Sequence, residues 1–167
     1  YHGLGDLFVF VFFGVIAVTG TYYVQAAALL AGWFPAGPPK GTVALAAVVA
    51  SLPIAALSTN ILVVNNLRDR EEDASTGKRP LAFRFGYRFA RAEYLALLAV
   101  AYLVPVWFAA RGDGLATLLP LVTLPLAATV ARTVLTETSG EALNPALEST
   151  GKLLAAYAVA FAVGLAV

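Results

Sequence analysis

Long apolar runs separated by short polar breaks dominate this chain. A helix that crosses hydrocarbon needs about 20 mostly apolar residues. Five segments meet or approach that length: residues 7–30, 42–64, 94–110, 115–135 and 153–167. The fifth is the shortest, and a truncated span is expected there. A proline- and glycine-rich stretch at 35–41 predicts a turn between the first two spans, and Gly112-Asp113-Gly114 predicts a tight turn between the third and fourth. Pro53, Pro105, Pro120 and Pro125 fall in or near spans, where neighbouring helices can tolerate the kinks they cause. The pattern holds no internal repeat and no low-complexity tail. It predicts an all-α fold, a multi-span transmembrane helix bundle.

Composition strengthens that reading. The chain is 60% hydrophobic and only 13% charged, with a mean hydropathy of +0.80, whereas soluble domains carry roughly 25% charged residues. A water-soluble fold of this length could not hide so much apolar surface. The net charge of +1 gives no footprint for nucleic acid. There is no cysteine, and His2 is the only histidine, which excludes disulfides, thiolate chemistry and a multi-histidine metal site within this chain. Any metal here must be held by oxygen. Methionine is absent and the first residue is Tyr1, so a fragment or a processed product is expected. The first span lacks a basic flank, and no signal peptide is expected.

Basic residues give the expected orientation. Arg68, Arg70, Lys78, Arg79, Arg84, Arg88 and Arg91 follow the second span, and Arg132 and Lys152 are assigned to the connection of the fourth and fifth, Arg132 at the very end of the fourth. The opposite side carries only Lys40 and Arg111. The basic-rich side is expected to face the cytoplasm.

Charge concentrates where the second span ends, in Asn65-Asn66-Leu67-Arg68-Asp69-Arg70-Glu71-Glu72-Asp73, followed by Gly77-Lys78-Arg79-Pro80. If the helix continues past Val64, Asn65, Asp69 and Asp73 recur every four residues along one face, over about 12 Å at ~1.5 Å per residue. Carboxylates sharing a face repel unless they share a cation. Oxygen-only ligands suit Mg²⁺, which commonly takes one or two carboxylates plus substrate phosphates. Arg68, Lys78 and Arg79 can hold the remaining phosphate oxygens. The residues therefore point to a Mg²⁺–diphosphate site at one mouth of the bundle. The plain alternative is a solvated, positive-inside loop in which Asn65 and Asn66 merely end the helix.

The string NNLRDREEDASTGKRPLAFRFG, residues 65–86, resembles the second aspartate-rich motif of UbiA-type intramembrane prenyltransferases. It is most similar to the branch that prenylates 1,4-dihydroxy-2-naphthoate for menaquinone synthesis. HGLGDLFVFVFFGVIAVTGTYYVQ, residues 2–25, and Asn144-Pro145-Ala146-Leu147 resemble that branch too. The resemblance covers nearly the whole chain. It implies that residues 1–167 are the C-terminal part of a single membrane prenyltransferase domain, with about five of nine helices. It further implies that Asp69 and Asp73 bind the metal, that Asn65 or Asn66 takes the leading polar position, and that Arg68, Lys78 and Arg79 contact the diphosphate. Pro80 departs from the threonine expected after Gly-Lys-Arg and removes a backbone donor. The family's first aspartate-rich motif is not among these residues, so they are not expected to form a competent enzyme alone.

The implied partners are a polyprenyl diphosphate, 1,4-dihydroxy-2-naphthoate and the lipid bilayer of the cell (plasma) membrane. In the implied reaction an allylic cation forms as diphosphate leaves. The naphthoate ring attacks it and the ring carboxylate is lost, giving demethylmenaquinone at its hydroquinone level. Competing readings are a relative that uses 4-hydroxybenzoate or a tetrapyrrole, a transporter segment with Asp69 and Asp73 on an ion path, and a structural membrane subunit. Among the remaining polar residues, Tyr22 and Tyr23 can face a carbocation or anchor the interface. Gln25 can make a polar contact inside the bundle, which the resemblance favours, or end the helix; Asp6 is expected to cap the first span, Glu93 to pair with nearby arginines, and His2 to lie on the surface. The orientation is open to a direct test. A cysteine placed at Ser75 should stay unlabelled when a membrane-impermeant thiol reagent is added to intact cells, and ready labelling from outside would reverse the topology.

Overall fold

A computed structural model of the chain describes residues 4–31, 44–70 and 81–167. Within them the backbone is helical, and five helices are long and apolar enough to cross a membrane: α1 (Gly5–Leu30), α2 (Leu45–Arg68), α3 (Phe85–Arg111), α4 (Leu115–Thr136) and α5 (Gly140–Ala166). This is the expected all-α, multi-span architecture. The turn predicted at 35–41, and also His2, Asp73, Lys78 and Arg79, lie outside the described residues.

Two spans differ from their expected lengths. The fifth is not short: α5 begins at Gly140, because Glu141, Glu148 and Lys152 belong to the helix. Lys152 and Glu148 form an i,i+4 ion pair of 2.6 Å, so charge that reads locally as a loop is carried on the helix surface. Arg132 likewise lies within α4 rather than in a connection. The third span also starts early. Its helix runs Leu81–Arg111 and is interrupted at Gly86, whose φ of 80° and ψ of 178° break the helical path.

Helices α2, α3, α4 and α5 form a ring in which each touches the next, and α1 lies outside it against α2. Half of the apolar window of α2 is buried, against 6% of that of α1, so α2 is the central element. Lipid tails are as apolar as leucine, so these helices are drawn together by close packing rather than by exclusion of water. Small residues allow it. Ala55, Ala56, Ala90, Ala101, Ala127 and Ala146 are buried at the contacts. A Cβ built on Gly14 of α1 would fall on Ala55 of α2, and one on Gly164 of α5 would fall on the carbonyl of Ala116. Rings fill the remaining space: Tyr157 stands edge-on to Tyr102 at 5.6 Å, and Phe161 lies 5.8 Å from Phe108.

No water satisfies polar groups inside a bilayer, so side-chain hydroxyls within the spans need internal partners. They turn back onto main-chain carbonyls of the preceding turn. Thr117 Oγ1 donates to the carbonyl of Gly114 (2.7 Å), Thr123 Oγ1 to that of Pro120 (2.7 Å) and Thr129 Oγ1 to that of Pro125 (2.9 Å). Around Pro120 the chain tightens into a 3₁₀ helix, Leu115–Thr123. Within α1, Val9–Ile16 runs as a π-helix. Polar side chains also tie helices to one another. Asn60 Nδ2 donates to the carbonyl of Tyr94 at 3.2 Å, and the Tyr157 hydroxyl donates to the carbonyl of Ala101. Gly112 and Gly114, with φ of 92° and 101°, form the tight α3–α4 turn that the sequence predicts.

The α1–α2 contact yields a test. Gly14→Val should force the two helices apart at a cost of about 1–3 kcal/mol, typical of overpacking. The thermal unfolding midpoint in lipid or detergent should fall accordingly. Gly20→Ala, with no neighbour within 4 Å of the added carbon, should leave it unchanged. Equal midpoints for both variants would mean that α1 is not seated on Ala55.

Candidate active site at the mouth of the bundle

The last turn of α2 gathers the polar side chains that its sequence singles out. Helical spacing sets Asn65 one turn before Asp69, and the Asp69 amide donates to the Asn65 carbonyl at 2.9 Å. The helix ends there, with Asp69 as its C-cap at φ −88° and ψ 5°. The four-residue spacing is therefore realised for Asn65 and Asp69, while Asp73 lies outside the described residues. Arg68 grips Asp69 in a fork. Nε donates to Oδ1 at 2.6 Å and Nη2 to Oδ2 at 2.9 Å, and the same Nη2 reaches Asn65 Oδ1 at 2.9 Å. Asn65 Nδ2 completes the cluster with a 3.1 Å bond to Asp69 Oδ2. Both members of the ion pair are about a quarter exposed, so the pair sits at the boundary between bundle and water. Charge-assisted bidentate bonds of this kind fix direction as well as charge.

Asn66 points elsewhere. It is buried, and its Nδ2 donates to Asp6 Oδ1 at 3.4 Å. Asn65 is thus the asparagine that touches Asp69. Asp6 does not cap α1 as expected. The N-cap is Leu4, no side chain caps the helix, and Asp6 is only 5% exposed at the α1–α2 contact. Among the described residues Glu93 has no ion pair, which corrects the expected pairing with arginine. The donors of Arg91 are spent on backbone: Nε on the carbonyl of Val134 (3.0 Å) and Nη2 on that of Glu137 (2.9 Å). Those carbonyls belong to the end of α4, where a cation also meets the negative end of the helix dipole. Gln25 is exposed beside Gly20 and Thr21 in an open groove on α1, and is not enclosed by the described helices.

Three other elements complete the mouth. A pocket of about 320 Å³ is lined by Leu67, Arg68, Asp69, Tyr87, Thr138, Gly140 and Asn144. Tyr87 stands at the start of α3 and donates its hydroxyl to the Thr138 carbonyl at 3.1 Å. Its ring carries the Arg70 guanidinium 4.6 Å from its centroid and that of Arg91 at 5.4 Å. The α5 N-terminus abuts α2: a Cβ on Gly140 would lie 3.0 Å from the Arg68 carbonyl. Ser139 caps α5, its Oγ accepting from the Ala142 amide at 3.2 Å. Tyr87 and Gly140 carry no local sequence signal for this place. They reach it only because the ring of helices brings the α4–α5 turn against the end of α2.

The donors of this cluster are oxygens and guanidiniums. Among the described residues no three acidic, histidine or cysteine side chains gather as a metal cage. The Asp69 carboxylate and the Asn65 amide oxygen, one turn apart, are hard ligands of the kind that Mg²⁺ takes together with phosphate oxygens.

Fold and mouth together define a multi-pass membrane protein with a hydrogen-bonded polar cluster at one end of a helix bundle. Residues 1–155 match the UbiA prenyltransferase family, and the chain belongs to that family. It is 41% identical to the 1,4-dihydroxy-2-naphthoate octaprenyltransferase of Mycobacterium tuberculosis, over 99% of this chain and 51% of that protein. It is 36% identical to the protein of the same name from Mycobacterium leprae, over 97% and 50%. It is also 31% identical to UbiA prenyltransferase domain-containing protein 1 of Mus musculus, over 92% and 40%. The chain therefore spans about half the length of its mycobacterial relatives.

Proposed function

We propose that this chain is the C-terminal part of a single membrane prenyltransferase domain that transfers a polyprenyl chain from its diphosphate to 1,4-dihydroxy-2-naphthoate. The observation that carries the reading is the Asn65–Arg68–Asp69 cluster. A carboxylate is oriented by an arginine fork and an amide at the polar end of an apolar bundle, in a chain similar to proteins named for this reaction. The site faces the cytoplasm of the plasma membrane, in line with the excess of lysine and arginine at that end.

Asp69 and Asp73 are the metal ligands of this reading, with Asn65 beside them. Arg68, Lys78 and Arg79 face the diphosphate, whereas Asn66 is turned to Asp6 at the α1–α2 contact. Mg²⁺, when bound, supplies charge neutralisation that makes diphosphate a better leaving group. The residues of the chain do the rest. Arg68 and Asn65 fix the direction of the Asp69 oxygens, so little reorganisation is needed as charge develops. The basic side chains hold the departing diphosphate, which keeps the electron pair of the broken allylic C–O bond. The ring carbon forms the new C–C bond, and its carboxylate leaves as carbon dioxide with that bond's electrons returning to the ring. The aromatic product stands at the hydroquinone level of demethylmenaquinone. The apolar helices keep water from the allylic cation and let the prenyl tail lie in hydrocarbon.

In membranes carrying the whole protein, Asp69→Asn and Asp73→Asn should each lower prenyl transfer by at least on the order of a hundredfold, well beyond the effect of a surface ion pair. With both acceptors present, 1,4-dihydroxy-2-naphthoate should be consumed ahead of 4-hydroxybenzoate. Near-normal turnover in either variant would remove that residue from the metal site, and dominant use of 4-hydroxybenzoate would change the assigned acceptor.

A further inference from the structure

Three guanidiniums among the described residues at the mouth are used differently. Arg68 is balanced by the Asp69 carboxylate and bonded to Asn65. Arg91 has Nε and Nη2 on the carbonyls that end α4. Arg70 has no ion pair among the described residues, and its Nε is buried without a hydrogen-bond partner there. What holds Arg70 is the ring of Tyr87, 4.6 Å from the guanidinium carbon. Tyr87 is a fixed platform. Its hydroxyl is bonded to the Thr138 carbonyl, Arg91 also meets the ring, and the ring lines the pocket beside Arg68 and Asp69.

A guanidinium held over a ring by cation–π attraction spends no N–H donor on it, and those donors suit planar, bidentate recognition of phosphate. A cation with unspent donors at a partly desolvated position is costly unless an anion uses them. Arg68 adds little net positive charge to the pocket because Asp69 offsets it, whereas Arg70 adds a charge that no described carboxylate cancels. We propose that Arg70, held over the Tyr87 ring beside the pocket, is a further diphosphate-binding residue, with Tyr87 as its positioning residue. The inference rests on the prenyl-transfer reading above. The group recognised is the terminal phosphate of the prenyl diphosphate, or of the inorganic pyrophosphate released from it.

The test uses the whole protein in lipid vesicles, with inorganic pyrophosphate as the probe. Arg70→Gln should raise the inhibition constant of pyrophosphate and the KM for prenyl diphosphate by about tenfold, the usual weight of a charge-assisted contact. The KM for the aromatic acceptor and the thermal midpoint should stay as in the parent. Arg70→Lys keeps the charge but loses the fork and should fall between the two, and Tyr87→Leu should reproduce part of the rise. Arg111→Gln is the control. Arg111 stacks on Trp107 at 4.5 Å in the same way but lies at the far end of α3 and pairs with Asp113, so its loss should leave pyrophosphate inhibition unchanged. An inhibition constant for Arg70→Gln within about twofold of the parent overturns the proposal, as does a lowered midpoint with unchanged inhibition, which is the mark of a merely structural strut. If Arg70→Gln does not assemble, Arg70→Lys decides by the same criterion. A parent that pyrophosphate does not inhibit refutes the prenyl-transfer reading itself, which separates the two failures.

Discussion

Helices in hydrocarbon hold together only where their backbones come close, and the whole arrangement turns on α2 being approached in that way from three sides. Gly14 lets α1 lie on Ala55, alanines line the α3 contact, and Gly140 brings the start of α5 against the carbonyl of Arg68. Van der Waals contact is weak per atom and short in range, so one added methyl group at such a point displaces a helix. The last of these contacts has a chemical role. By pressing the α4–α5 turn against the end of α2, it gives the Arg68–Asp69 pair a wall and turns a helix terminus into a pocket.

Around that pocket the polar groups divide by task. Some serve the backbone, as with Arg91 on the α4 carbonyls and Tyr87 on Thr138. Others are tied to one another, as with Asn65, Arg68 and Asp69. The first group fixes the scaffold and the second fixes the direction of a carboxylate. Direction matters in this chemistry because preorganised dipoles spare the reaction the reorganisation that water would need. At the opposite end of α3, Arg111 lies over the Trp107 ring and pairs with Asp113 on an exposed surface, where Trp107 borders an apolar groove rather than a polar pocket.

The helices were legible in the sequence wherever apolar residues ran unbroken, since length and hydropathy suffice to mark a span. They were not legible where a helix passes through the level of the polar headgroups. Glu141, Glu148 and Lys152 interrupt the apolar run of α5, and Arg88, Arg91 and Glu93 do the same at the start of α3, yet charged side chains there can reach water or one another without ending the helix. The candidate site divides in the same way. Asn65, Arg68 and Asp69 are four residues apart at most, and helical geometry alone brings them together. The contacts of Asp6 with Asn66, of Tyr87 with Thr138 and of Gly140 with Arg68 join residues more than fifty positions apart. Only the closing of the bundle creates them, and for that reason Asp6 reads locally as a helix cap.

The break at Gly86 has a mechanical meaning. An unbroken helix behaves as a stiff shaft, so a twist applied at one end is felt along its length. With φ at 80° and ψ at 178°, Gly86 interrupts the hydrogen-bonded ladder between Leu81–Phe85 and the buried length of α3 beyond it. The short helical turn Leu81–Phe85 is thereby uncoupled from the shaft that carries Tyr87 and Arg91. A shift of that turn need not disturb the tyrosine platform or the guanidinium clamp on α4.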